Sequence, residues 1–265
     1  QHLGLDRERT GERHALALAT GELRRVARAQ LVELDELEQL AAHRRVHVLV
    51  GEPDELLGRG TDVGIQALRR IHQHNDARKA RVNVAHHYDL GNQLYDLFLD
   101  ADMQYSCAYF SDPMMTLEQA QAAKKAHIAA KLAIAPGMSA LDIGSGWGGM
   151  AITLAKDYGA NVTGVTLSTE QLALASDRAR KAGLANQVKF QLTDYRDLDQ
   201  TFDRIVSVGM LEHVGAPNFQ TYFDTVRRLL AEDGVAVIHA IGRMSGPGAT
   251  NAFTQKYIFP GGYIP

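Results

Sequence analysis

The sequence predicts an α/β fold with a Rossmann-like, mostly parallel sheet and helices on both faces. Two observations lead to this prediction. From residue 110 onward, short apolar runs alternate with amphipathic segments in the order typical of repeated strand and helix units. One predicted strand also runs into a glycine-rich turn, Gly144–Gly149, which opens the next helix. Ligands of such folds bind beyond the carboxyl ends of the strands, so the sequence predicts a binding site at this turn.

The predicted elements follow from local signals. Thr116 and Gln119 have the spacing of a capping box, which predicts a helix over Leu117–Leu132, and Ser168 and Gln171 predict a second box. The other predicted elements are strands at Ala140–Ile143, Val162–Thr166, Val188–Leu192, Phe202–Val208 and Val235–Ile241, helices at Gly149–Tyr158, 168–182 and Asn218–Ala231, and a turn at Asp233-Gly234 before the last strand.

Composition limits the class of protein. A chain of 265 residues with 45% apolar content can bury a sizeable core, and a formal charge of −3 gives no general attraction to nucleic acid. The only cysteine, Cys107, excludes an intramolecular disulfide framework and fits a reducing cytosol. The longest apolar runs are shorter than a membrane span, and no secretory signal opens the sequence.

The first part of the chain differs from the rest, because residues 1–87 contain no Phe, Tyr or Trp. We therefore expect two regions, an N-terminal extension of uncertain nature at residues 1–68 and a folded domain at residues 69–265. The extension contains an amphipathic pattern over Glu22–His43, which predicts a helix, and a β-like run at Val46–Val50.

The glycine-rich turn indicates a nucleotide-like cofactor. Gly144 and Gly146 permit positive φ and close approach of a ligand, and the helix N-terminus that follows offers free N–H groups. With Gly149 the turn also fits the dinucleotide pattern Gly-x-Gly-x-x-Gly, but that pattern requires an acidic residue at the end of the second strand. Here the segment Asn161–Ser168 has no carboxylate at its end. The acid is Asp142, before the first glycine, and in this respect the turn resembles the first motif of class I S-adenosylmethionine-dependent methyltransferases.

Four further segments and the end of the chain carry a more specific resemblance. They are Asn83–Asn92, Gln104–Phe110, Val206–Gly215, Val237–His239 and Phe259–Pro265. Together they resemble the cyclopropane-fatty-acyl-phospholipid synthase family, which includes the mycolic acid cyclopropane synthases, and the match begins near Arg69. This family is expected to have a seven-stranded sheet, so the resemblance implies that the methyltransferase domain at residues 69–265 is incomplete at its C-terminus.

The resemblance implies a cofactor, S-adenosyl-L-methionine, and a set of residues that bind it. The glycines of the turn face its methionine end, the residues after the second strand take the ribose, and the Asp194-Tyr195 turn borders the adenine. The implied set comprises Tyr88, Tyr105, Ser106, Asp142, Gly144, Gly146, Thr166, Leu167, Gln171, Asp194 and Tyr195.

The resemblance also implies a bicarbonate site and a reaction. Cys107, Glu212 and His239 match residues that hold the anion, Val208 matches a backbone contact, and a fourth ligand, a tyrosine, is expected beyond Pro265. The implied reaction transfers a methyl group to the cis double bond of a phospholipid-bound acyl chain and closes a cyclopropane ring. Because attack by the double bond leaves a cation in an apolar pocket, a small base is needed there to remove a proton.

Alternatives remain open at this point. The same fold can act on a mycolic or branched-chain acyl precursor or on an amine, or the chain can be a remnant that binds cofactor without catalysis. His86 and His87 lack zinc-type partner spacing, so packing is favoured and no metal is expected. A basic cluster from Arg69 to Arg81 suits either lipid head groups or a solvated face. We expect a cytoplasmic protein at the inner membrane face that binds unsaturated phospholipid acyl chains and no nucleic acid, and a homodimer is left open.

Overall fold

The computed structural model describes residues 45–50 and 92–242 and the single positions 254, 258, 259 and 262. The chain divides into two compact units, Gln1–Ala42 and His43–Pro265, and every described residue belongs to the second. The helix predicted over Glu22–His43 and the segment that contains Tyr88 lie outside the described residues.

The elements alternate as predicted. In chain order they are β1 (Arg45–Val50), α1 (Asn92–Asp96), α2 (Leu117–Leu132), β2 (Ser139–Ile143), α3 (Gly149–Tyr158), β3 (Asn161–Thr166), α4 (Thr169–Lys181), β4 (Val188–Leu192), a 3-10 turn (Tyr195–Asp197), β5 (Phe202–Val208), α5 (Leu211–Val214), a second 3-10 turn (Ala216–Asn218), α6 (Phe219–Leu229) and β6 (Leu230–Ala240).

Within the described part of the chain the sheet has six strands in the order β1-β6-β5-β2-β3-β4, and every neighbouring pair is parallel. The β-like run predicted at Val46–Val50 is confirmed as β1, which pairs with β6 from Arg45 opposite Val235. From β2 the chain adds β3 and β4 on one side and β5 and β6 on the other. The direction in which the chain adds strands therefore reverses between β2 and β5, which leaves a crevice beyond the carboxyl ends of these two strands. Ligands of open α/β sheets bind in such a crevice.

Alternation along the central strands builds a core on each face of the sheet. On β5, Ile205 packs with α6 residues in one cluster, whereas Val206 packs with residues of α2 and α3 in the other. Ala236 and Val237 on β6 divide between the same two clusters. Because both faces are covered, these strands are almost continuously apolar, which is why the sequence predicts them well.

The last helix and strand differ from the prediction. The sequence predicts a helix to Ala231, a turn at Asp233-Gly234 and a strand from residue 235, but β6 already begins at Leu230. Leu230 lies opposite Phe202 of β5, and Val235 lies opposite Arg204. The residues between Leu230 and Val235 therefore form an irregularity inside the strand. The turn-forming residues Asp233 and Gly234 therefore lie within this irregularity, inside the strand that begins at Leu230.

The two predicted capping boxes have different outcomes. At Thr116 and Gln119 both halves are present, since each backbone N–H donates to the other residue's side chain, at 2.9 and 3.3 Å. At Ser168 only one half forms, with the hydroxyl accepting from the Gln171 N–H at 3.3 Å. The second half is absent because the Gln171 side-chain oxygen accepts from the Thr166 hydroxyl instead, at 2.7 Å.

Gly148→Ala is expected to destabilise the fold by about 2–4 kcal/mol. Gly148 caps α3 with a φ of +84°, and an added Cβ would lie 2.6 Å from the Phe190 ring and 3.0 Å from the Ala175 methyl group. The control is Gly183→Ala, because Gly183 has a φ of +72° with no atom within 4 Å of the added Cβ. In urea unfolding the control should lose only about 1 kcal/mol of its free energy of unfolding. Equal losses at both positions would contradict the packing argument.

Candidate functional site

A crevice lies at the carboxyl ends of the strands, where the topology predicts a site. Its walls come from the turns after β2, β3, β4 and β5 and from a segment before α2. Ten members of the predicted cofactor set line it, namely Tyr105, Ser106, Asp142, Gly144, Gly146, Thr166, Leu167, Gln171, Asp194 and Tyr195, and Val208 lines it as well. Tyr88 lies outside the described residues.

The glycine-rich turn presents its backbone to the crevice. Gly144 and Gly146 have φ values of +75° and +54°, which only glycine adopts without strain. The N–H groups of Gly144 and Ser145 both donate to the Val165 carbonyl at 3.0 Å, so the turn is tied to the end of β3. A Cβ on Gly144 would come within 2.9 Å of the Met210 side chain, across the crevice wall. Side chains are thus excluded where a ligand would approach the turn.

Asp142 is a buried acid in the wall of this crevice. It is 2% exposed, and burial raises its pKa to about 7, although the Ala151 N–H and the charge of Lys124 act to lower it. Its Oδ2 has no hydrogen-bond partner among the described residues. A cationic group in the crevice would therefore find an acceptor that the described residues leave unsatisfied.

The turns after β3 and β4 carry polar groups that already have partners. The Thr166 hydroxyl donates to the Gln171 side chain and also accepts from the Ser168 N–H at 3.2 Å. The buried Asp194 carboxylate accepts from the Arg196 backbone N–H at 3.0 Å and pairs with its guanidinium at 2.7 Å. Burial raises the pKa of Tyr195 to about 12, so its hydroxyl stays neutral. These pairs hold the two turns in fixed positions at the crevice.

Residues 100–106, which we call the strap, supply a further wall of the crevice through residues 103–106, which line it. The strap begins with a tight turn in which the Asp100 carboxylate accepts from the Gln104 N–H at 2.7 Å, and Met103 has a positive φ of 55°. Asp102 pairs with Lys125 of α2 and Arg178 of α4. Arg178 also donates to the Trp147 carbonyl of the glycine-rich turn at 2.7 Å. The strap is therefore bound to both helices and to the turn.

Three predicted catalytic residues do not line the crevice. They are Cys107, which is exposed, and Glu212 and His239. They lie at the same end of the sheet, since His239 pairs with Val208 in register. The Gly209 N–H donates to the His239 carbonyl at 3.0 Å, and a Cβ on Gly209 would contact Ser106, the neighbour of Cys107, at 3.6 Å.

Glu212 and His239 have buried polar atoms without partners among the described residues, Oε2 and Nδ1 respectively. Glu212 is 1% exposed, its Oε1 accepts from the Ile241 N–H at 2.6 Å, and burial raises its pKa. Burial, together with the charge of Lys124, lowers the pKa of His239, so the imidazole is neutral at pH 7. One acid and one neutral imidazole can between them accept and donate hydrogen bonds to a small oxyanion.

Sequence reasoning missed several residues of the site. Asn218 and Thr221 line the crevice and lie outside the motifs named above, whereas Gln104, Met210 and His213 line it and lie inside motifs but have no role in the predicted site. Two others, Gln121 and Lys124, hold the strap from α2. For the crevice residues, position in or near a motif at a strand end is the signal that could have found them. Gln121 and Lys124 gave no signal, because polar residues on a helix ordinarily face solvent.

This sheet order and a glycine-rich turn at the reversal point define a class I S-adenosylmethionine-dependent methyltransferase domain. The sequence profile of the mycolic acid cyclopropane synthetase family matches residues 75–265. The chain belongs to this family. The predictions of family and fold class are thereby confirmed.

Relatives in sequence agree with this assignment. The chain is 46% identical over 196 residues to the cyclopropane-fatty-acyl-phospholipid synthase of Escherichia coli K12, covering 74% of this chain and 50% of that protein. It is 45% identical over 205 residues to a probable fatty acid methyltransferase of Pseudomonas putida, covering 74% and 51%. The chain thus spans about half the length of the curated relatives that it matches.

Two solved structures also agree with the assignment of this chain to the family. The cyclopropane synthase MmaA2 from Mycobacterium tuberculosis superposes with a TM-score of 0.66 at 34% identity, covering 70% of each chain. The mycolic acid cyclopropane synthase CmaA1 in complex with SAH and CTAB gives a TM-score of 0.65 at 35% identity, again covering 70% of each chain.

Proposed function

We propose that this protein transfers the methyl group of S-adenosyl-L-methionine to the cis double bond of a phospholipid-bound unsaturated acyl chain and forms a cyclopropane ring. The observation that carries the proposal is the crevice at the reversal of the sheet, where motif residues from four strand ends and the strap meet. Membership in a cyclopropane synthetase family supports the choice of reaction.

The residues of the crevice fit the proposed cofactor. The turn at Gly144 exposes backbone where a side chain would collide with Met210, and Asp142 offers an acceptor oxygen to a cationic group. We assign Tyr105, Ser106, Thr166, Leu167, Gln171, Asp194 and Tyr195 to the same cofactor site, together with Gly146 and Tyr88 of the motif set. If bound, S-adenosylmethionine would supply an electrophilic methyl group to the double bond and leave as S-adenosylhomocysteine. The carbocation left on the acyl chain would then close the ring when the transferred methyl group loses a proton.

Exclusion of water is the first task of the protein's own residues, because water would trap the cation. Apolar side chains serve this purpose at the crevice, where Trp147 is 2% exposed and Val208 and Met210 line the wall. The ring of Trp147 lies 4.8 Å from that of Tyr95, with an angle of 57° between them. Aromatic faces of this kind can also stabilise a nearby cation.

Removal of the proton is the second task. We assign Cys107, Glu212 and His239, with the backbone at Val208, to a bicarbonate site that serves as the base. Oε2 of Glu212 and Nδ1 of His239 have no hydrogen-bond partner in the part of the chain that the structure describes, and this supports the assignment, since bicarbonate has both a hydroxyl donor and oxygen acceptors. An exchangeable anion also avoids alkylation of a carboxylate side chain by the cation.

The test is a methyl-transfer assay with labelled S-adenosylmethionine and vesicles of cis-unsaturated phospholipid. We expect label in the lipid, a gain of one CH₂ per modified chain by mass spectrometry, and replacement of olefinic proton signals by cyclopropane signals. Label on an amine would contradict the proposed acceptor, and new methyl or methylene branch signals would contradict the proposed ring product. Binding of S-adenosylhomocysteine without any label transfer would instead favour the cofactor-binding remnant.

One relative is described as a fatty acid methyltransferase and not as a cyclopropane synthase, so a methylated acyl product without a ring is the second candidate. The chain is 39% identical over 243 residues to the tuberculostearic acid methyltransferase UfaA1 of Mycobacterium tuberculosis, covering 84% of this chain and 55% of that protein. A branch and a ring add the same mass when the branch is a methylene group, so the proton spectrum of the lipid decides between them.

We further propose that the protein is cytoplasmic and acts at the inner surface of the membrane. Among the described residues, no helix has the length and apolar character to cross a bilayer. Large apolar side chains are exposed on either side of Tyr105–Cys107 in sequence, with Leu97 82% and Met114 87% accessible. Such exposure supports contact with lipid.

Co-sedimentation with the phospholipid vesicles tests this contact. A separate measurement, sedimentation equilibrium, decides whether the protein is a monomer or a homodimer.

A further inference from the structure

Helix α2 carries two polar side chains that face the protein interior. Gln121 is 4% exposed and Lys124 is 3% exposed, in the same buried stripe as Ala120 and Ile128. Lysine is almost never buried to this degree without a specific partner, because the ammonium group loses its hydration. The partners of these two residues therefore indicate why they are buried.

All the hydrogen bonds that these two side chains donate go to the strap. Lys124 Nζ donates to Ser106 Oγ at 2.7 Å and to Gln104 Oε1 at 2.8 Å. Gln121 Nε2 donates to the backbone carbonyls of Ser106 at 3.0 Å and Gln104 at 3.2 Å. The two acceptor residues flank Tyr105, and all three line the crevice.

We infer that Lys124 and Gln121 are positioning residues, which hold the strap against the cofactor crevice through Ser106 and Gln104. Neither α2 residue lines the crevice, so each acts through the strap. The inference rests on the proposed function, because Ser106 and Tyr105 are assigned to the cofactor only there.

The charge of Lys124 makes this arrangement sensitive to pH. Burial lowers the pKa of Lys124 to about 8, so the ammonium group loses its proton as the pH rises through about 8 and its hydrogen bonds weaken. The charged and titratable groups that face it are Asp100, Asp102 and Cys107 beside the strap, Lys125 on α2, Asp142 on β2 and His239 on β6. Cofactor affinity is therefore expected to fall as the pH rises through about 8.

The experiment measures binding of S-adenosylhomocysteine by calorimetry at about pH 7 and about pH 9, on this chain and its variants. Lys124→Met is expected to weaken binding at least about tenfold at the lower pH and to lose the fall in affinity between the two pH values that deprotonation of Lys124 causes in the parent. Lys124→Arg, which keeps a donor and a charge, should bind more tightly than Lys124→Met. The matched control Lys156→Met removes an exposed lysine of α3 and should bind like the parent.

Gln121→Leu separates positioning from stability. The Oε1 of Gln121 has no hydrogen-bond partner in the described part of the chain, so leucine removes a buried unsatisfied atom together with the two donated bonds. We expect weaker binding with an unfolding midpoint close to that of the parent. This variant also decides the question if Lys124→Met fails to fold.

Parent-like affinity in both Lys124→Met and Gln121→Leu would overturn the inference. A loss of affinity that Lys124→Arg does not relieve, and that only follows a lower unfolding midpoint, would also overturn it, since it would show a structural role. Failure of the parent chain to bind S-adenosylhomocysteine at either pH is a different result, which removes the proposed cofactor site and the inference with it.

Discussion

Asp142→Asn is expected to stabilise the cofactor-free protein above pH 7 and to weaken cofactor binding at the same time. The carboxyl group has a pKa of about 7 in the folded protein, against an ordinary value of 3.8. Between these values the folded state holds a proton that the unfolded state has lost, so the free energy of unfolding falls as the pH rises through this window. Above this pH window, ionised Asp142 lowers the free energy of unfolding by up to about 4 kcal/mol.

Asparagine removes this cost because it has no charge to bury. Its side-chain oxygen can still accept from the Ala151 N–H, but its amide N–H groups replace Oδ2, which has no hydrogen-bond partner among the residues described. We therefore expect a net gain of about 1–3 kcal/mol at pH 8, and almost none at about pH 4, where the parent carboxyl is protonated in the folded state. Thermal unfolding at both pH values measures the difference.

The same substitution should weaken binding of S-adenosylmethionine about 10–100-fold, because a charged acceptor facing a cationic ligand becomes neutral. Calorimetry on the stabilised variant measures this loss free of any effect of unfolding. Asp157→Asn is the control, since Asp157 is an exposed acid on α3. If Asp142→Asn and the parent had parallel stability profiles from pH 4 to pH 8, the buried acid would not titrate as argued.

The strands around the crevice could be predicted from the sequence because burial on both faces leaves a simple apolar pattern. Ile205 and Val206 on β5 face opposite cores, and both are fully buried. The start of β6 could not be predicted, since Leu229 ends α6 and Leu230 begins the strand without a loop between them. Two adjacent leucines fit either element, and only the pairing of Leu230 with Phe202 decides.

The cofactor wall could be predicted to the extent that its residues belong to motifs beside strand ends. The support of the strap could not, because it depends on contacts between segments that the local pattern does not connect. Lys124 and Ser106 are 18 positions apart, and α2 has the Ala, Gln and Lys content of a solvated helix. Burial of such residues is decided by tertiary packing, which overrides helical pattern.

Glu212→Gln is expected to lower turnover of the phospholipid assay by about 100-fold or more while leaving cofactor affinity nearly unchanged. The side chain does not line the crevice, so S-adenosylhomocysteine should bind as it does to the parent. Glu232→Gln, at an exposed position near the start of β6, is the matched control and should retain parent turnover.

The reason for the loss lies in the hydrogen bond that fixes Glu212. The Ile241 N–H donates to Oε1 at 2.6 Å, so in the variant the amide oxygen must remain on that side. The amide nitrogen then replaces Oε2, and a donor stands where the parent presents an acceptor. An oxygen of the anion can still bind this donor, but the hydroxyl group of bicarbonate requires an acceptor. The variant therefore does not hold bicarbonate in the orientation that the parent gives it. Added bicarbonate should therefore raise parent turnover much more than that of Glu212→Gln.

The dependence of turnover on pH is a second test of the role of Glu212. Burial raises the pKa of Glu212, so the ionised acceptor is lost at a higher pH than for an ordinary carboxyl. If the ionised form is required, parent turnover falls as the pH drops through this raised pKa, and Glu212→Gln shows no such fall because its amide does not titrate. An identical acidic limb in both proteins would assign the titration to another group, and equal turnover of variant and parent would remove Glu212 from the reaction.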